Sequence, residues 1–342
     1  MRGGRAFSRR ELARRTAGLL LAGATAAARA QEGRFFRIAT GPVGGSVYTL
    51  GGLLAEAVSS PPGAPPCELG GSCGVPGLVA LAQSSAGSLA NLEQLALARV
   101  ESALVRADLA EAAQRGDGEP SLAPLAGRLR TLARLVEAAL HLLVRGDAPI
   151  GGPADLAGRR LGLEEAGSGT LALARLLLAA FGVEERSVEL AFLGRGAAVT
   201  ALAAGSLDAL LLVGPWPVPT AEEAIPAADD RLLPLRGPAI DRLVRRHAWL
   251  GYHLIPFASY PGQPAVETVA VPLLWLVRDE LEEELAYALA AALWRPESLA
   301  RLRAGHPQGR ELALEEAAAG LVVPLHAGAR RWYREQGLLR EP

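Results

Sequence analysis

The sequence predicts an α/β protein, with mainly parallel sheets flanked by helices. Short apolar runs alternate with helix-patterned stretches of about ten to fifteen residues, the signature of α/β layers. Glycine-rich loops stand where runs give way to helices, at Thr40-Gly-Pro-Val-Gly-Gly-Ser-Val-Tyr48 and Gly167-Ser-Gly-Thr170. In such sheets ligands sit beyond the carboxyl ends of the strands. About 310 residues follow the export segment described below, which suits two domains better than one small core.

Phe35–Thr40 reads as the first strand, followed by the first loop and a helix over Tyr48–Ser59. Residues 60–77 form a Pro/Gly-rich insert. Leu78–Ala82 is the next strand, closing at Ser84 and Ser85, and Ser88–Asn91 opens a helix. Ser102–Val105, Leu129–Leu135 and His141–Val144 read as three further strands. A turn and short helix at Pro153–Leu161 lead into the second loop, and Leu171–Phe181 is helical. Val188–Phe192 and Leu207–Leu212 are strands around a helix at Ala197–Ala204, which ends at Gly205. Val269–Val277 is a late strand. Helices are expected over Leu281–Trp294, Leu312–Gly320 and His326–Gln336.

The first thirty residues read as an export signal. A basic segment with twin arginines, Arg9 and Arg10, precedes an apolar run over Thr16–Ala28 that is too short to span a bilayer. Ala28-Arg29-Ala30 fits a small-x-small cleavage site, so cleavage is expected after Ala30 and the mature protein in the periplasm. The twin arginine suggests the Tat route, with an ordinary Sec signal as the alternative.

Removing that segment takes away seven basic residues and one acid. The mature chain then carries 28 basic and 35 acidic side chains, a formal charge of −7. It has no basic tail and no aromatic–basic interleaving, which argues against nucleic acid as a partner. It also contains no lysine. That excludes a Walker-type P-loop and Schiff-base chemistry, and leaves every cationic contact to arginine. Cys67 and Cys73, the only cysteines, lie six apart in a glycine-rich loop and read as a local disulfide. A two-ligand metal site is the alternative, but no histidine is near.

Both glycine-rich loops open helices. A helix start carries unpaired N–H donors and about half a positive charge, and so holds carboxylates or phosphates. Thr40, Gly44, Gly45, Ser46 and Tyr48 are candidate ligand contacts from the first loop, although its glycines alone would also make a tight turn. Gly167, Ser168, Gly169 and Thr170 are the candidates from the second. Ser84 and Ser85 stand at a strand end. Asn91, the only asparagine, either braces its helix or reaches the ligand. Trp216 lies between prolines and either walls a pocket or packs in the core. Arg106 either meets a ligand carboxylate or pairs with Asp108. Glu164 and Glu165 are expected to face solvent. Gly167-Ser168-Gly169 lacks the Gly-x-Ser-x-Gly elbow of hydrolases, no base is near it, and the five histidines show no metal-ligand spacing. No catalysis, metal or cofactor is expected.

Six blocks in one order resemble a family. They are Ile38–Gly41 with Gly44–Gly52, Ser84–Leu92, Gly167–Thr170, Tyr260–Gln263, Thr268–Pro272 and Val323–Ala329. From Phe36 to Gly337 the chain resembles the TAXI-type solute receptors of TRAP transporters. The resemblance implies a two-lobe fold like periplasmic binding proteins of type II. Residues 31–144 with 269–342 would form lobe I and 145–268 lobe II, joined by crossing strands. It also implies capture of a small organic anion, an amino acid or carboxylate, and delivery to membrane permease subunits. Two features depart from the family. Arg106 stands where glutamine is frequent, which places a fixed cation ahead of Asp108, and the cysteine-bearing insert is not general. The rival readings are a periplasmic serine hydrolase using Ser168 and a ligand sensor signalling through a partner.

Overall fold

The computed structural model describes residues 33–228 and 230–339. The export segment and its expected cleavage site lie outside the described residues. The strands, in chain order, are β1 (Arg34–Ala39), β2 (Ser59–Ser60), β3 (Val75–Pro76), β4 (Leu78–Gln83), β5 (Ser102–Arg106), β6 (Leu129–Val144), β7 (Arg160–Leu163), β8 (Glu189–Phe192), β9 (Ala209–Gly214), β10 (Arg231–Leu233), β11 (Gly251–Ile255) and β12 (Val266–Arg278). The helices are α1 (Ser46–Val58), α2 (Ser88–Ala96), α3 (Ala107–Arg115), α4 (Thr170–Ala180), α5 (Arg195–Ala203), α6 (Pro219–Ala228), α7 (Pro238–Arg246), α8 (Glu283–Leu293), α9 (Pro296–Gly305) and α10 (Ala327–Glu335).

The expected α/β class holds, but the central pairing is mixed rather than mainly parallel. The sheet runs β4-β1-β5-β12-β6-β9-β7-β8, with β11 beside β12 and β10 beside β6. One parallel set is β4, β1 and β5; the other is β8, β7 and β9. Every antiparallel pairing involves β6 or β12. These two long strands run from one set into the other. Toward the first set, β12 pairs β5 through Leu273–Val277; toward the second, it pairs β11 through Val266–Ala270. β6 pairs β12 over Leu129–Ala139, then β9 and β10 along its remaining length.

Two sequence expectations are corrected here. Leu129–Leu135 and His141–Val144 are one sixteen-residue strand, because the stretch between them has no glycine or proline to break it. Residues 312–320 do not form a helix, only a short 3₁₀ turn at Leu314–Glu316. The backbone of this segment and of the residues just after it instead serves β6: Ala317 O accepts from Arg134 N and Pro324 O from Thr131 N. The sequence reading had also passed over α3, α6, α7, α9, β10 and β11. The disulfide Cys67–Cys73 is formed, which removes the metal alternative because both sulfurs are committed. Among the described residues, no helix is long and apolar enough to cross a membrane.

Side chains alternate across the strands, so both sheet faces are buried. On β5, Ala103 and Val105 face one core while Leu104 faces another with Phe36, Leu50 and Trp275. On β9, Leu211 and Val213 face the first core, and Leu210 and Leu212 a third with Leu202, Ile225 and Tyr260.

Two buried histidines make this fold sensitive to acid. The Tyr260 hydroxyl accepts from Val218 N at 2.8 Å and lies 2.9 Å from His141 Nε2. Its own proton is thus directed to His141, whose Nδ1 faces Ala139 O at 3.0 Å. Both contacts suit a neutral ring. His306 Nδ1 accepts from Gln308 N at 3.2 Å. Burial pushes both imidazoles down to about 4. Below an unfolded-state value of about 6.5 the unfolded chain takes up protons that the folded chain refuses. Stability is therefore expected to be full above pH ~6.5 and to fall toward pH 4, by roughly 3 kcal/mol per histidine at the limit. Urea midpoints measured at pH 7 and pH 4.5 check this; equal values would refute it.

Candidate functional site

A cavity of about 130 Å³ opens where the two strand sets meet. From the first set it is lined by residues 40–43 and 45–47, by Ala86, Gly87 and Ser88, and by Arg106. From the second come Glu164, Glu165, Ser168, residues 193–195, residues 212–214 and residues 218–220. Ala138 of β6 and Leu273 of β12 also contribute. The size is comparable to an engineered cavity of ~150 Å³ that admits benzene.

The sequence builds this wall from helix starts. Gly45, Gly87 and Gly194 precede α1, α2 and α5, and Gly169 precedes α4; none of these four ends has a side-chain cap. Glycine brings no capping oxygen, so first-turn N–H groups are left for another acceptor. The ends of α1, α2 and α5, each of about half a positive charge, line the cavity, whereas the first N–H of α4 is taken by Ser168 Oγ. Gly51 on α1 keeps that helix close to the sheet: a Cβ there would stand 2.2 Å from Thr40 Cγ2.

Of the residues expected from sequence, Thr40, Gly45, Ser46, Arg106 and Ser168 line the cavity. The others lie behind or beside it. Gly44 O accepts from Arg195 Nη1 at 3.0 Å. Asn91 braces the floor, donating to Thr40 O at 2.5 Å and Leu104 O at 2.8 Å, and Ser85 donates to its Oδ1 at 2.6 Å. Ser84 is exposed and Tyr48 half-buried, and neither lines the cavity. Trp216, expected to wall a pocket or pack in the core, does not line the cavity and donates from Nε1 to His253 Nε2 at 3.0 Å; Gly214 faces the cavity instead.

Gly167 and Gly169 lie at the contact between the two sides. A Cβ on Gly167 would stand 2.9 Å from Ala86 Cβ, and one on Gly87 2.9 Å from Ser168 Cα. Ser168 Oγ accepts from Thr170 N at 3.1 Å, and the buried Thr170 hydroxyl is spent on Glu164 Oε2 at 2.5 Å.

Arg106 is 3% exposed. Its Nε and Nη2 reach Asp108 at 3.1 and 2.9 Å, and Nη2 also donates to Gly169 O at 3.0 Å across the contact. The pairing with Asp108 and a place in the cavity wall, read as alternatives from sequence, coexist.

Both Glu164 and Glu165 border the cavity; Glu165 is exposed, as expected, but Glu164 is turned inward, against the expectation that it faces solvent. Glu164 follows β7, and its Oε2 also accepts from Val213 N at 3.2 Å. Burial pushes its carboxyl up, partly opposed by the Thr170 hydrogen bond, the Arg106 charge and the Val213 N–H. The sequence reading missed Gly194 and Arg195 as well, although Leu193-Gly-Arg-Gly before a helix repeats the pattern of the first loop.

Fold and cavity together define an α/β protein with a crevice between two strand sets that share two long strands. The chain belongs to the NMT1-like family, whose model matches residues 38–337. Among solved structures it is similar to the periplasmic aliphatic sulphonate binding protein SsuA from Escherichia coli, at 16% identity and a TM-score of 0.41, over 82% of this chain and 75% of that one. It is similar to the alkanesulfonate-binding protein SsuA from Xanthomonas axonopodis pv. citri bound to MOPS, at 16% identity and a TM-score of 0.46, over 91% and 96%. It is also similar to the amino acid ABC transporter substrate-binding protein AbpA from Streptococcus pneumoniae bound to L-arginine, at 15% and 0.46, over 81% and 94%.

Proposed function

We propose that this chain is an extracytoplasmic solute receptor that captures a small organic anion between two lobes. The observation that carries the reading is the convergence of three uncapped, glycine-led helix starts, those of α1, α2 and α5, on one cavity. Lobe I comprises residues 31–144 and 269–342, and lobe II residues 145–268, with β6 and β12 crossing between them. The carboxylate is held by the starts of α1 and α2, by Ser46 and by Arg106. Lobe II closes over it through Ser168 and the start of α5. Ligand binding shifts the population toward the closed form. The resemblance of six sequence blocks to TAXI-type receptors supports a TRAP permease as the partner and export to the periplasm. The serine-hydrolase alternative has less support: no histidine is among the lining residues, and Ser168 Oγ bonds its neighbour Thr170 N rather than either lining glutamate.

The test is a thermal-shift screen of the mature protein against monocarboxylates, dicarboxylates and amino acids, followed by calorimetry. A carboxylate-bearing hit is expected, with Ser46→Ala and Ser168→Ala each weakening it by about 1 kcal/mol. No hit in any carboxylate class, or unchanged affinity in both variants, would overturn the reading.

A further inference from the structure

The charge balance of the cavity points beyond a simple anion. Its positive side chains are Arg106 and Arg195, and both have other engagements. Arg106 is paired with Asp108, and Arg195 donates to Gly44 O and approaches Glu223 at 3.5 Å. Its negative side chains are Glu164 and Glu165. Arginines and acids in the lining are thus equal in number, and counting Asp108 and Glu223 leaves an excess of acid. Glutamates are poor company for a ligand carrying only negative charge. Glu164 is not forced on the fold either, since the Val213 N–H and the Thr170 hydroxyl would each be satisfied by a neutral acceptor.

Glu164 is half-committed. Its Oε2 accepts from Thr170 and Val213, which fixes the carboxylate plane. Its Oε1 accepts no hydrogen bond among the described residues, is not sealed from the surroundings, and belongs to a side chain of the cavity wall. A carboxylate oriented on one oxygen and open on the other is a positioned acceptor for a charged donor. On the opposite lobe the donors are of the other kind. The starts of α1 and α2 have free N–H groups, and the buried Arg106 keeps an Nη1 with no hydrogen-bond partner among the described residues. The cavity has two ends of opposite character.

We propose that the ligand is an acid that also carries a protonated amine, and that Glu164 Oε1 receives that ammonium and selects it over the plain acid. This rests on the reading of the cavity as a carboxylate site and adds a cation-recognising end. The carboxylate lies against the helix starts of lobe I, and the ammonium lies toward β7. Burial of the Glu164 carboxyl is compensated when the ammonium arrives, so an acid without the amine leaves a desolvated carboxylate unmatched.

Calorimetry on the mature protein with pairs differing only in the amine tests this: L-alanine and propionate, L-aspartate and succinate, L-glutamate and glutarate. In at least one pair the amine-bearing member is expected to bind about tenfold or more tighter, the scale of one charge-assisted hydrogen bond. Glu164→Gln keeps an oxygen for Thr170 and Val213 but loses the charge. It is expected to retain the ligand-free melting temperature and to reduce that preference to about threefold or less. Equal or tighter binding of the plain acids by the natural protein would overturn the inference while leaving the carboxylate site standing. So would a preference that survives undiminished in Glu164→Gln. Failure of both members of every pair to bind would overturn the carboxylate site as well. Should the variant not fold, the comparison of pairs on the natural protein still decides.

Discussion

Arg106→Met is expected to lower the unfolding free energy by about 3–5 kcal/mol, the cost of stranding a buried charge. Arg106 and Asp108 expose only 4% and 6% of their side chains, so removing the guanidinium leaves the Asp108 carboxylate without its cation in the interior. Gly169 O loses a donor at the same time. Arg106→Lys should recover only part of the loss, because one ammonium cannot reproduce the two-pronged contact through Nε and Nη2. The double replacement Arg106→Met, Asp108→Leu should recover much more of the stability, since no lone charge remains. Urea unfolding of the four proteins measures these differences. A loss below about 1 kcal/mol in Arg106→Met would show that Asp108 is hydrated or otherwise compensated.

The second large effect is expected in binding rather than stability. Gly167 faces Ala86 Cβ and Ala90 Cβ, which a Cβ at that position would approach to 2.9 and 3.2 Å. Neither neighbour has a flexible end that can swing aside. Gly167→Val therefore adds bulk where the two sides of the cavity touch, and overpacking costs about 1–3 kcal/mol. In the receptor proposed above, the open form separates these surfaces and escapes that cost. Ligand affinity is expected to fall roughly 5- to 150-fold, at 1.4 kcal/mol per factor of ten. The ligand-free melting temperature should change little. Calorimetry with a hit from the carboxylate screen reads the first quantity and a thermal melt the second. Unchanged affinity would mean that these surfaces separate in the bound state.

The α/β class was legible because strand and helix periods differ and glycine marks their junctions. The helix starts at Ser46 and Thr170 could be read for the same reason. The mixed pairing was not, since strand direction across β6 and β12 depends on partners more than a hundred residues away. Half of the site was hidden for a related reason. Glu164 looked like a surface acid because nothing local reveals that Val213, forty-nine positions on, donates to it. Asn91 had two readings in sequence, and its contacts with Thr40 O and Leu104 O show it as a brace. Thr170 looked like a donor to the ligand, yet its hydroxyl is turned to Glu164. Hydroxyls beside a helix start are easy to find; their direction is set by the tertiary neighbour.

The two long strands have a mechanical consequence. β6 and β12 are hydrogen-bonded to one another from Leu129 to Ala139 and from Ala270 to Arg278, with register shifts at Pro272/Leu274 and Trp275/Leu276. A paired ribbon of this kind resists shear, because sliding would break its whole ladder at once, but it yields to torsion spread over many residues. In the two-lobe receptor proposed above, closure is therefore expected as twisting about this ribbon. Ala138 and Leu273 belong to that ribbon and also line the cavity, so any twist of the ribbon is felt directly at the floor of the pocket.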